Sequence, residues 1–83
     1  MRPEDVLEVV RRRPFRPFRI HVSDGTTYEV QHPDWLWVGH SAAMVFIPDL
    51  VHFPFVHGRY EIVALLHMVR LEWVTPAISI EAN

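Results

Sequence analysis

The chain has no cysteine and no lysine. The first absence excludes disulfides and thiolate zinc sites, the devices that most often staple a protein of only 83 residues. The second leaves arginine to carry the positive charge. Eight arginines stand against ten carboxylates, a net charge of -2 that excludes a uniformly basic polyanion binder. No apolar run approaches the ~20 residues needed to span a bilayer as a helix. Met1-Arg2-Pro3-Glu4-Asp5 carries no apolar signal-peptide core. No glycine-rich phosphate loop, nucleophile motif or convergent set of metal-ligand spacings is present. The expectation is a cytoplasmic, non-enzymatic protein with no cofactor, no metal and no membrane contact, folded as one domain over residues 1–76 with a tail at 77–83.

What is present is apolar surface. The chain is 49% hydrophobic, with three tryptophans and five phenylalanines, a heavy load for so small a volume. With disulfides excluded, self-association is the remaining means of covering it.

Residues 3–13 are predicted as one helix. Pro3 suits the first helical position, Glu4 and Asp5 complement the positive end of the dipole, and Arg11, Arg12 and Arg13 complement the negative end. Val6, Leu7, Val9 and Val10 form one apolar stripe, and Pro14 ends the run. Pro-Phe-Arg then occurs twice, at 14–16 and 17–19. From Phe18 the period becomes two, with Phe18, Ile20 and Val22 facing inward. Asp24-Gly25 is a hairpin turn, and Thr26, Tyr28 and Val30 alternate with Thr27, Glu29 and Gln31 on the returning strand. His32-Pro33-Asp34 breaks that strand. Trp35–Val38 and Ala42–Ile47 are further short strands. Residues 50–58 form an irregular apolar crossing, and Arg59–Val63 extends as a strand. Ala64–Leu66 is a single 3₁₀ turn, and His67–Val74 is the last strand, with Val69, Leu71 and Trp73 facing in. The order predicts an α+β fold: an N-terminal helix packed on a small, strongly bent five-stranded antiparallel sheet over 18–74, closed as a barrel. An open sheet with the helix across one face is the alternative.

At Pro14–Asp24, His32–Asp34 and Gly58–Glu72 the chain resembles a group of short bacterial proteins. They share a leading helix, a Pro-Phe-x-Pro-Phe segment, an Asp-Gly hairpin, a His-Pro-Asp or His-Pro-Glu turn and a closing Leu-Leu-x-x-x-x-Leu-Glu. That resemblance implies a fold and no activity. The element order is also similar to that of the Sm-like and SH3-like small barrels, whose Sm members form rings and bind RNA. The mid-strand glycine and the RNA-contacting signature of the Sm proteins are missing here, so RNA binding is not carried over from them.

Three sets of residues remain as candidate sites. Arg11, Arg12, Arg13, Arg16 and Arg19 form an arginine strip that could face phosphates, with Phe15 or Phe18 stacking on bases. The competing reading is local: three cap a helix and two are the wet face of a proline-spaced connector. The same segment matches a proline-rich SH3 ligand in both orientations, a pattern of low specificity. The six histidines have irregular spacings and fall on different predicted strands, which argues against a zinc site; His52 and His57, in the apolar crossing, are the one pair to test as metal ligands. Trp35 and Trp37, assigned to one strand face with Leu36 and Val38 on the other, make that strand apolar on both sides. Together with Phe53 and Phe55 they are the expected oligomer interface. The functional expectation is a homo-oligomeric binding or scaffold module; the alternative is an RNA binder that uses the arginine strip.

Overall fold

The computed structural model describes residues 1–49 and 57–74. Helix α1 spans Pro3–Arg11, and Arg12 is already extended. It is therefore shorter than the expected 3–13, because the backbone straightens ahead of Pro14. Its stripe seats Val6 and Val10 in the core.

The strands are β1 (Phe18–Val22), β2 (Thr27–Val30), β3 (Leu36–Val38), β4 (Ala42–Pro48), β5 (Gly58–Ala64) and β6 (Met68–Trp73). Short 3₁₀ turns at Pro33–Trp35 and Leu65–His67 punctuate them. They form two separate three-stranded antiparallel sheets, in the orders β2-β1-β6 and β3-β4-β5. This corrects the expected five-stranded barrel: the fold is α+β, but six strands divide between two sheets. Pro33 lacks a donor, and the 3₁₀ turn it opens separates β2 from β3, so neither sheet's ladder runs on into the other.

One core holds the layers together. The first sheet contributes Phe18, Ile20 and Val30; the second contributes Leu36, Ala43, Val45 and Val63. Leu65 and Met68, at the crossing between the sheets, complete it with the two helical valines. At the β1–β2 turn the Thr26 N–H donates to Asp24 Oδ1 at 2.9 Å, and Gly25 takes φ 91°, the left-handed conformation that glycine accepts at no steric cost.

Two strand assignments need correction. Trp35 lies in the 3₁₀ turn and not on β3 beside Trp37. In β6 the partners run from Phe18↔Trp73 to His21↔Arg70 and then shift to Val22↔Met68, a bulge that leaves Val69 over. Val69 is consequently 58% exposed, and Met68 takes the core position.

Candidate functional site

The outer faces of the two sheets differ in chemistry. On the second sheet Trp37, Met44 and Ile62 stand in one cross-strand row, and Phe46 and Tyr60 in the next. Alternation explains the pattern: Leu36, Val45 and Val63 turn to the core, so their neighbours turn out. Trp37 is 57% exposed, Tyr60 54% and Ile62 77%. The rings touch in a chain, with Trp37–Tyr60 centroids at 5.9 Å, Phe46–Tyr60 at 5.2 Å and Trp35–Phe46 at 5.6 Å. No charged residue interrupts these rows.

Gly58 permits part of this arrangement. A Cβ there would run into the Ile47 carbonyl oxygen and come within 2.6 Å of the Phe46 ring. The ring thus lies over bare backbone, which a side chain would occupy.

Of the four residues expected at an interface, Trp37 lies fully on this face and Trp35 at its margin, half-buried. Phe53 and Phe55 lie outside the described residues. Met44, Phe46, Tyr60 and Ile62 were missed. The alternation of Tyr60 and Ile62 with Arg59, Glu61 and Val63 is the available signal, and an extended segment alone does not say which of its sides meets solvent.

The arginine strip does not gather as one surface. Arg19 is held between two carboxylates, with Glu29 at 3.1 Å and Glu72 at 3.4 Å. Arg13 donates to the carbonyls of Val10 at 3.0 Å and Arg12 at 2.9 Å, closing the helix C-terminus. Arg12 and Arg16 lie over the Trp73 ring, at 5.1 Å and 4.7 Å from its centroid. Arg11 is exposed. Of the two aromatics expected to stack on bases, Phe18 is fully buried and Phe15 half-buried, with their rings 6.1 Å apart edge-on.

No group of three histidine, aspartate or glutamate side chains able to hold a metal occurs among the described residues. His57 is exposed, and its expected partner His52 falls outside them.

A groove of about 540 Å³ separates β2 from the end of the β4–β5 hairpin. Across it the Tyr28 hydroxyl donates to Glu61 Oε1 at 2.6 Å, and Arg59 Nε donates to Glu61 Oε2 at 3.0 Å. The bond to Glu61 raises the phenol to about 12, because its loss of a proton would set two anions side by side. The same bond, with the Arg59 guanidinium, holds the Glu61 carboxyl below its ordinary value.

Comparison with known proteins returns nothing for this chain: no family model, no curated protein and no solved structure matches it.

Proposed function

We propose that this chain is a non-enzymatic interaction module that works as a homo-oligomer, its copies meeting through the outer face of the second sheet. The observation that carries the reading is the unbroken apolar surface of Trp37, Met44, Phe46, Tyr60 and Ile62. Trp37, Tyr60 and Ile62 alone leave roughly 400 Å² in water, within the range of the largest apolar patch on an ordinary monomer. Covering that area on two copies supplies about half of a standard interface of roughly 1,600 Å², and the neighbouring residues extend it. Aromatic side chains at the centre of such a patch, without lysine or carboxylate among them, have the composition of an interface core.

The test is solution mass by light scattering for the wild type, Trp37→Asp and Ile62→Glu. An oligomeric wild type and monomeric variants with unchanged circular dichroism are expected. A wild type that stays monomeric at high concentration removes the reading.

One observation favours RNA binding as a second reading. Arg12 and Arg16, both exposed, set two guanidinium groups against the half-buried Trp73 ring, and arginine beside an aromatic is a combination that single-strand binders use. In that case a fluorescent oligouridine binds at low salt, and Arg12→Ala with Arg16→Ala weakens it. Absence of binding at low salt ends this reading.

A further inference from the structure

The first sheet ends at β2, whose outer edge has no partner strand among the described residues. The ladder's phase can be read directly. The Val22 N–H donates to the Thr26 carbonyl at 2.9 Å, and Ile20 faces Tyr28 and Phe18 faces Val30 in the same alternation. The main-chain groups of Thr26, Tyr28 and Val30 therefore turn to β1, and those of Thr27 and Glu29 turn away from it, toward the open side. On that side lies the groove described above, lined by Thr27, Glu29 and Gln31 along the edge and by Trp35, Phe46 and Pro48 opposite.

The other open edges carry the usual guards against strand pairing. β6 has its bulge at Val69, β3 is three residues long, and β5 turns a paired Arg59 and Glu61 to the side facing the first sheet. β2, with the sequence Thr27-Tyr28-Glu29-Val30, has no proline, lysine or bulge, and a ready-made cavity lies beside it.

We infer that the β2 edge is a binding site for an extended peptide of alternating basic and apolar residues, which adds to the first sheet as a fourth strand. Charge order gives the basic positions. Glu72, Arg19 and Glu29 are opposite one another across β6, β1 and β2, an alternating row held by contacts of 3.4 and 3.1 Å. The next strand places a residue beside Glu29 on that same face, where a cation continues the row and a carboxylate breaks it. The apolar positions follow from the pleat. Residues on the opposite face of the added strand fall beside Tyr28, where Trp35, Phe46 and Pro48 form the far wall. Affinity comes from main-chain hydrogen bonds to Thr27 and Glu29, and selectivity from the two side-chain faces.

The probe is the blocked peptide acetyl-Thr-Val-Arg-Phe-Arg-Val-Thr-amide, titrated into the full chain with amide hydrogen exchange followed by NMR. Binding is expected to slow exchange at Thr27 and Glu29, whose amides face the groove, with little change at Tyr28 and Val30, which already bond β1. A peptide with glutamate for both arginines binds at least about tenfold more weakly, as does one N-methylated along its pairing edge. Thr27→Pro abolishes binding while Tyr28 and Val30 stay protected, since the lost N–H is not part of the β1–β2 ladder. Trp37→Asp, at a position that does not line the groove, leaves peptide binding unchanged, so loss of the oligomer and loss of peptide binding stay distinguishable although both surfaces include Phe46. If the N-methylated peptide binds as well as its parent, or if Thr27 and Glu29 exchange at the free rate in its presence, the site is not an edge. Protection of these two amides that grows with protein concentration alone would make the occupant a second copy and overturn the inference.

Discussion

The two sheets share one core, and their outer faces have opposite character. Outside the first sheet Arg19 is paired with Glu29 and Glu72, and His21 Nε2 lies 2.8 Å from Glu72 Oε1 and 3.3 Å from the Arg70 guanidinium. Outside the second sheet Trp37, Tyr60 and Ile62 are exposed to solvent. Both faces arise from the same alternation of strand residues, so the pleat alone does not say which face meets water. The side chains placed outward do. Charged pairs make the first face content in solvent, whereas the second carries no charged group, and its large exposed side chains offer water only the Tyr60 hydroxyl and the Trp37 indole N–H. That contrast is the physical basis for the proposal that the second face meets a partner copy.

The largest expected effect breaks what the sheets share. Phe18→Ala removes a fully buried ring and should cost about 3–5 kcal/mol in urea unfolding. Tyr60→Ala, on the outer face, should change the stability of the dissociated chain by less than about 1 kcal/mol. Equal losses at the two positions would mean that Tyr60 is already covered within one copy. Next is Gly58→Ala, which forces a methyl group against the Ile47 carbonyl and the Phe46 ring. A cost of about 1–3 kcal/mol is expected, with a disturbed Phe46 resonance as its signature. A neutral result would show that the β4–β5 hairpin shifts freely.

Acid sharpens the comparison from the other side. The hydrogen bond from His21, then the charges of His21, Arg19 and Arg70, hold the Glu72 carboxyl below its ordinary 4.5. Glu61 is likewise lowered, by Tyr28 and then Arg59, and Asp24 is lowered by the backbone N–H and then the hydroxyl of Thr26. A folded-state value below the unfolded one means stability is present above the ordinary carboxylate range and lost as pH falls through the depressed values. Urea midpoints should therefore hold steady from pH 7 to about 5 with respect to these groups and decline below about 4.5. Glu72→Gln should flatten part of that decline. The smallest effect is Arg19→Ala: its pairs are partly exposed, so no more than about 1 kcal/mol is expected, and less at high salt.

These contrasts also show what could be read from residues alone. The inward set Phe18, Ile20 and Val30 was legible because period two and the Asp24-Gly25 turn agree on register. Val69 was not, since its exposure follows from one extra residue in β6 relative to β1, and a bulge of that kind has no local marker in this sequence. The division into two sheets was missed for a related reason. Pro33 marks the end of a strand, but whether hydrogen bonding resumes across the break depends on the path of the 3₁₀ turn at Pro33–Trp35. Arg19 looked free beside its basic neighbours because its carboxylate partners stand 10 and 53 residues away. Trp37 was legible as an outward aromatic on a two-sided strand; Tyr60 and Ile62 needed the β4–β5 register to join it.

Intermolecular NOEs test the central claim most directly. A mixture of isotope-labelled and unlabelled chains, recorded with an isotope-filtered experiment, reports only contacts between copies. Cross-peaks linking the Trp37 indole or Tyr60 ring of one copy to Ile62 methyls of another are predicted. A sample at millimolar concentration that gives no such peaks, with the tumbling time of a single 9.8 kDa chain, would contradict it.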